Sequence, residues 1–283
     1  MSVPVDSWTS AENARRYAEF ARTYTTYRQT SRDLVDFARL PADATVVDLA
    51  CGTGSTTAAV LSVLGEGGRV VAIDGSAAML AVARSIIHDE RVRWLHSPAE
   101  RLGGDTVTDV DAVVCNSAIW QTDIRLTAEA VRRALRPGGR FVFNLGAQML
   151  ADHAHSDQPD LLVDAMKEIA ARDHGWRPTP QAPSRQQLSE AWLRQVLHEA
   201  GFTVDLVHSV SYQASLAEQH SWLSVPVFTT GLFPHLPYEQ RMAVLNEAYQ
   251  RLAADRPRPV TTQWVIFTAT IPMSGSGRGS GHE

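Results

Sequence analysis

The chain alternates short apolar runs with stretches in which apolar residues recur at helical spacing. Seven runs have the length and composition of strands, and the segments between the first five have the pattern of amphipathic helices. The predicted strands are 45–49, 69–73, 92–96, 111–115, 140–145, 203–211 and 262–271. This alternation predicts an α/β fold, with a seven-stranded, mostly parallel sheet and helices on both faces. The late return strand predicts an antiparallel edge.

Four segments fall outside this alternation. Residues 9–40 predict a helical cap, because aromatic residues, among them Tyr17 and Tyr27, recur there at helical spacing. Residues 148–184 and 216–258 are connections long enough to be binding lids. Residues 274–283 are rich in glycine and serine and predict a flexible tail, so 1–273 is expected to form one domain.

Two predicted strands end in an acidic residue. Asp48 precedes a turn that contains Gly52 and Gly54, and a helix follows. Glycines let the backbone approach a ligand, and the unpaired amides of a helix N-terminus favour an anionic group. Asp74 ends the next strand, where a carboxylate can accept both hydroxyls of a ribose. The sequence therefore predicts a nucleoside-containing ligand at this edge of the sheet.

The motifs Asp48–Gly54, Ala72–Ser76 and Leu135–Arg140 resemble those of the class I S-adenosylmethionine (SAM)-dependent methyltransferases. The resemblance covers about residues 40–147. It implies a Rossmann-like sheet, SAM as cofactor with S-adenosylhomocysteine (SAH) as product, and methyl transfer as the reaction. In that family the first acid and its turn hold the methionine part, the second acid holds the ribose, and Met79 with Ala99 would contact adenine. The resulting candidate cofactor-binding residues are Tyr17, Asp48, Ala50, Gly52, Gly54, Asp74, Gly75, Met79, Ala99, Glu100 and Asn116.

One position departs from the resembled family. Many relatives carry an acid before the alanine that follows the third strand, where it accepts from the adenine amine, whereas this chain has Pro98. Recognition of the adenine amine would then come from a hydrogen bond to Ser97, to a carbonyl or to a water. Two alternatives remain at this point. One is a SAM-binding fold that does not methylate, or a SAM-binding module. The other, more distant, is an NAD-dependent oxidoreductase. The glycine motif of that class requires a small third residue for helix-strand packing, and the branched Thr57 at this position counts against it.

Composition and charge limit the kinds of partner that the chain is expected to bind. The net charge of −5 and pI near 6.1 disfavour a sequence-independent nucleic-acid surface. No apolar run approaches a membrane span, no secretion signal opens the chain, and only Cys51 and Cys115 occur, so a cytoplasmic monomer or homodimer is expected. No metal site is predicted, because the spacing of His153, His155 and Asp157 is weak evidence for one.

The chemistry of the acceptor is less constrained. The chain lacks Asn-Pro-Pro-Tyr, the signature of enzymes that methylate planar amide or ring nitrogens of DNA and protein. Together with the acidic net charge, this absence predicts a small-molecule acceptor, and we expect it to belong to natural-product metabolism. Proton removal from oxygen or carbon would need a base, and His153, His155 and His220 in the lids are the candidates. Oxygen or carbon is therefore favoured over nitrogen as the methylated atom. Aromatic residues that could wall the acceptor pocket are Trp120, Trp176, Trp222, Phe228 and Phe233.

Overall fold

A computed structural model of the chain describes residues 7–103, 107–153, 160–178, 188–255 and 257–273. The strands are β1 Thr45–Leu49, β2 Arg69–Asp74, β3 Val92–His96, β4 Val110–Asn116, β5 Leu135–Gly146, β6 Thr203–Ala214 and β7 Val260–Thr270. The helices are α1 Ala11–Thr23, α2 Thr26–Ala38, α3 Ser55–Leu61, α4 Ala77–Ile86, α5 Ile124–Ala134, α6 Leu161–His174, α7 Glu190–Glu199, α8 Leu216–Leu223, α9 Pro226–Thr230 and α10 Tyr238–Ala253.

The strands form one sheet in the order β3-β2-β1-β4-β5-β7-β6. The first five are parallel, and β7 runs antiparallel to both β5 and β6. The predicted fold class is therefore confirmed, with one difference in detail. The antiparallel strand β7 lies second from the edge, because β6 pairs along its outer side and takes the edge position.

Alternate residues of the strands pack into two separate cores, one on each face of the sheet. Val47 and Phe143 face α5 and α7 in one core, whereas Val46 and Val142 face α2 and α3 in the other. This alternation follows from the two-residue period of a strand. Because both faces are covered, the ligand-accessible part of the sheet is the edge where the parallel strands end.

Local sequence fixes where several helices begin. Six of the described helices start after a residue whose side chain accepts a backbone N–H: Ser10, Ser76, Asp123, Asp160, Ser189 and Ser215. Such caps satisfy amides that have no partner within the helix. The cap at Ser76 directs the first turn of α4 toward the tip of β2, next to Asp74.

The helical cap (residues 9–40) and the second lid (residues 216–258) pack together above the tips of the parallel strands. Phe20 and Tyr27 of the cap are buried against Val225, with Trp222 and Phe228 beside them. Helices α6, α8 and α10 share a separate apolar core. The two lid segments are thus helical in part, whereas 154–159, 179–187 and the predicted tail 274–283 lie outside the described residues.

Residues 136–139 have an Arg-Pro-Gly-Gly sequence, which is typical of a turn, yet they belong to β5. There Gly138 donates its N–H to the Ile271 carbonyl at 3.0 Å. Gly138 has a φ of 76°, a left-handed conformation that favours glycine, so this part of the strand is irregular. Among the described residues, no helix is long and apolar enough to cross a bilayer.

Candidate active site

A cavity of about 770 Å³ opens above the ends of the parallel strands. This volume lies in the range of about 300–1,000 Å³ that is typical of small-molecule sites. Two groups of residues line it, and we name them by the elements that supply them. The cradle is formed by the strand tips and the turns after them: Ala50, Gly52, Asp74, Gly75, Met79, Ala99 and Asn116. The acceptor chamber is formed by the cap, the second lid and β7: Thr26, Tyr27, Glu218, Trp222, Phe228 and Trp264.

Asp74 lies at the centre of the cradle. One carboxylate oxygen accepts the Gly52 N–H at 2.8 Å, and the other accepts the Ser76 N–H at 2.7 Å. Burial raises the pKa of Asp74, and these two backbone bonds partly offset the increase. A carboxylate has about four lone-pair positions, so each oxygen can accept a further hydrogen bond from a ligand.

Asp48 does not reach the cavity, which corrects the prediction that its side chain holds the methionine part. Its carboxylate is 1% exposed and accepts the Thr57 hydroxyl at 2.6 Å. Because β1 pairs on both sides and α3 covers its end, Asp48 points beneath the turn and not across it. Burial raises the pKa of Asp48 to about 7, although the bond from Thr57 opposes the shift. We infer that this residue supports the turn.

Gly54 also lies off the cavity, contrary to its prediction as a cofactor-binding residue. Its φ is 91°, and a Cβ there would lie 2.7 Å from Ile87 Cδ1. Glycine is therefore required by the turn and by helix packing. Gly52, by contrast, lines the cavity. A Cβ at this position would come no closer than 3.9 Å to any atom beyond its neighbours in the chain, the nearest being Tyr17 Cε1. Of the two glycines, Gly52 is the one placed to face a ligand.

The residues predicted near adenine do line the cavity. Met79, Ala99 and Glu100 all contribute to its wall, together with Ser97 and Pro98. The Glu100 carboxylate accepts the Asp123 N–H at 2.8 Å, where α5 begins. The Ser97 hydroxyl donates to the Pro98 carbonyl at a long 3.3 Å, so it can turn toward a bound ligand instead.

Asn116 lines the cavity at the end of β4, but its side chain is held elsewhere. Its amide nitrogen lies 3.2 Å from the Thr30 hydroxyl, 3.0 Å from that of Ser31 and 3.2 Å from that of Thr56. The side-chain amide thus ties β4 to α2 and α3. What remains free to face a ligand at this position is backbone, as the family resemblance implied.

Aromatic rings close the cavity from the cap side. Tyr17 lines the cavity as predicted, and its ring contacts that of Tyr27 at a centroid distance of 5.5 Å. Burial raises the pKa of both phenols, so both are neutral donors near neutral pH. Trp8 adds a further ring, and its carbonyl accepts the Ser76 hydroxyl at 2.8 Å. The cap is thereby fastened to the start of α4.

Glu218 is the buried carboxylate of the acceptor chamber. Its side chain is 8% exposed, lines the cavity and accepts a hydrogen bond from the Thr26 hydroxyl. Trp222 follows one helical turn later, so it shares a face of α8 with Glu218. The Trp222 ring stacks on Phe228 at a centroid distance of 4.1 Å and an angle of 14°.

The described histidine candidates lie away from the cavity, so the prediction of a histidine base is not supported for them. His153 Nε2 lies 3.0 Å from a Glu190 oxygen, and His220 Nε2 lies 2.8 Å from the Asn246 oxygen. Neither ring is part of the lining. His155 lies outside the described residues. The described part of the chain has no group of three His, Cys, Asp or Glu side chains placed to hold a metal.

Three of the five aromatic residues that could wall the acceptor pocket line the cavity. Trp120, Trp222 and Phe228 line the cavity. Trp176 and Phe233 instead contact each other at 5.4 Å within the core of α6 and α10. Sequence reasoning missed Glu218 and Trp264, which come from distant elements. Their only local signal is position, since Glu218 follows a helix cap and Trp264 is an aromatic residue in a strand.

Comparison with known proteins places the chain in a family. A family model described as a methyltransferase domain matches residues 46–139. The trans-aconitate 2-methyltransferase of Azoarcus sp. (strain BH72) is 32% identical over 240 residues, which are 77% of this chain and 88% of that protein. This chain therefore belongs to the class I SAM-dependent methyltransferases. It is an enzyme that takes its methyl group from SAM.

Other similar proteins agree on the class. The 2-phytyl-1,4-naphtoquinone methyltransferase of Thermosynechococcus vestitus (strain NIES-2133 / IAM M-273 / BP-1) is 36% identical over 107 residues, 38% of this chain and 48% of that protein. The YcgJ protein of Bacillus subtilis shares the fold, with a TM-score of 0.54 and 18% identity over 87% of this chain and 99% of that one. A fold alone does not determine the acceptor, which must be argued from the site.

Proposed function

We propose that the enzyme methylates an oxygen or carbon atom of a small, largely apolar molecule of specialised metabolism. The observation that carries this proposal is the acceptor chamber, which continues from the cradle and has aromatic walls. Among the described residues, eight aromatic side chains line the cavity, counting the cradle and the acceptor chamber together: Trp8, Tyr17, Phe20, Tyr27, Trp120, Trp222, Phe228 and Trp264. Apolar walls with a few polar groups are typical of sites for small organic molecules.

The cradle fits SAM. Asp74 has lone pairs left for the two ribose hydroxyls, because its two oxygens each accept only one described hydrogen bond. Met79 offers a polarizable thioether to a flat ring, and Ser97 and Ala99 lie on the same wall. Ala50 and Gly52 leave backbone exposed for the amino-acid part. We therefore assign the nucleoside to the Asp74 side of the cradle and the methionine to the turn side.

When bound, SAM supplies a methyl group whose bond to the sulfonium sulfur breaks as its bond to the acceptor forms, leaving SAH. The chain contributes by orienting the acceptor along that line and by excluding water. Tyr17, Tyr27 and Trp222 close the cavity between cradle and lid, and this closure is what keeps the reacting atoms dry. An oxygen or carbon acceptor must also lose a proton. A phenol or an enol can lose this proton to water before the cavity closes, so no side chain is assigned as its base.

The names of some relatives support carbon as the methylated atom. Several similar proteins carry the name ubiquinone/menaquinone biosynthesis C-methyltransferase, at 25–31% identity. His153 and His220 no longer support the choice of oxygen or carbon, since they lie off the cavity. The aromatic walls of the acceptor chamber, which suit a phenol or a quinol, are the physical basis that remains.

The test is methyl transfer from SAM with an isotopically labelled methyl group. A panel of phenols, quinols, enols, amines and carboxylic acids would be offered, and NMR of the product would identify the atom that carries the label. We expect label on oxygen or carbon of an apolar ring compound. Label on nitrogen or on a carboxylate oxygen would contradict the proposal, as would tight SAH binding with no transfer to any acceptor class. Thermal stabilisation by SAH, with none by NAD, is the matched control for the cofactor.

A further inference from the structure

We propose that the acceptor carries a protonated amine, which binds Glu218 inside the acceptor chamber and anchors the molecule while another atom receives the methyl group. This inference rests on the proposed function, because it names the class of substrate for the same site. The structural basis is a buried carboxylate with no cation beside it among the described residues, in a cavity that aromatic side chains also line and whose described lining carries no positive side chain.

Glu218 has no cationic partner in the part of the chain that the structure describes. One of its oxygens accepts the Thr26 hydroxyl, and none of the ion pairs among the described residues includes Glu218. The nearby Tyr24 hydroxyl donates to the Ala217 carbonyl at 3.1 Å and not to this carboxylate. A carboxylate this deeply buried is costly unless a donor or cation meets it. A ligand that enters the chamber with an ammonium group supplies that partner.

The aromatic residues that share the chamber lining with Glu218 suit the same group. Trp222 lies one turn along α8 from Glu218, and Tyr27 and Trp264 line the same cavity. The Tyr27 ring contacts Trp264 at a centroid distance of 6.1 Å. Aromatic faces attract ammonium groups, the more strongly the more the pair is desolvated. Carboxylate and rings together therefore recognise both the charge and the apolar body of an aromatic or alkyl amine.

The rest of the lining disfavours an anionic acceptor. Its ionisable acids are Asp74, Glu100, Asp160 and Glu218, and the described lining contains no Lys, Arg or His. A tricarboxylate such as trans-aconitate would bring three negative charges to this wall without a cation to meet them. Like charges repel each other, and the repulsion is stronger in a partly buried cavity than in water. On this ground we separate the acceptor of this chain from the substrate named for its relative in Azoarcus.

The experiment measures binding to the SAH-saturated protein by calorimetry, with two sets of matched probes. One set is tyramine, tyrosol and 4-hydroxyphenylacetate, and the other is tryptamine, tryptophol and indole-3-acetate. Within a set the probes share a ring and differ in the ammonium, hydroxyl or carboxylate group of the side chain. We expect the amine of at least one set to bind about tenfold or more tightly than its alcohol, and the carboxylate more weakly than both.

Two variants locate the preference. Glu218→Gln keeps the shape and removes the charge, so the advantage of the amine over the alcohol should fall by about tenfold or more. Glu239→Gln makes the same change at an exposed position on α10 and should leave the preference intact. SAH affinity, measured on each variant, reports whether the fold is preserved. If Glu218→Gln does not fold, the preference of the native protein still decides.

Three results would overturn the inference: carboxylates that bind as tightly as amines, an amine preference that survives Glu218→Gln, or no binding of any amine probe. These results are distinct from failure of the proposed function. That failure would appear as absent methyl transfer, or transfer to nitrogen, in the labelling experiment, whatever the probes do in the binding experiment.

Discussion

Replacing Asp48 by asparagine should change how the stability of the protein depends on pH. The carboxyl group is 1% exposed, and burial raises its pKa from 3.8 to about 7. In the unfolded chain the group ionises near its ordinary pKa. Between the two values the folded state therefore binds more protons than the unfolded state, so stability from this group is greatest at low pH and falls as pH rises toward 7.

The magnitude follows from the same two pKa values. Each pKa unit corresponds to about 1.4 kcal/mol, so complete ionisation of Asp48 costs the folded state up to about 4 kcal/mol. Between pH 5 and pH 8 the cost grows by about 2.5 kcal/mol. Asparagine has no charge to bury, and its side-chain oxygen can still accept the Thr57 hydroxyl, which donates to Asp48 at 2.6 Å. The variant should therefore equal or exceed the native protein in stability at pH 8.

The measurement is the free energy of unfolding in urea for both proteins at several pH values. We expect the native protein to lose about 2.5 kcal/mol relative to Asp48→Asn between pH 5 and pH 8. Groups that titrate in both proteins cancel in this difference. A difference that stays constant with pH, or one that grows in favour of the native protein, would refute the assignment of Asp48 as a buried supporting residue.

Three further predictions concern the cavity. Asp74→Asn should weaken SAH binding by about ten- to a hundredfold, because hydrogen bonds to a charged group are lost; unchanged affinity by calorimetry would contradict this. Trp222→Leu should raise the acceptor KM by about two- to tenfold, because the stack of Trp222 on Phe228 is lost. The Kd for SAH should stay the same. A fall in SAH affinity would contradict the division of the cavity into a cradle for SAM and a separate acceptor chamber. His153→Gln and His220→Gln should keep kcat within about twofold, and a large loss would restore a histidine base.

The residues of the cradle could be singled out from the sequence because they lie close together along the chain. The spacing between Asp48 and Asp74 defines one strand-helix-strand unit, and parallel strands must end at the same edge of the sheet. That reasoning identifies Asp74, Gly52 and Met79. It fails for Asp48, because the direction of a side chain at a strand end depends on the turn that follows and on Thr57 in the helix above.

The acceptor chamber could not be predicted in the same way. Glu218 meets Thr26 across 192 positions of the chain, so nothing local in the sequence signals the pair. Histidines attracted attention in the lids because of their chemistry, yet burial and packing place a carboxylate there instead. Trp176 and Phe233 show the same limit, since aromatic residues of a lid serve its own core as readily as a ligand.

The most direct test is a crystal structure of the protein with SAH and a ligand in the acceptor chamber. We predict that the ribose hydroxyls lie within hydrogen-bond distance of the Asp74 carboxylate, that the adenine lies against Met79, and that the sulfur faces the space bounded by Tyr27 and Trp222. SAH bound with its ribose away from Asp74, or with its sulfur turned away from the acceptor chamber, would contradict this arrangement.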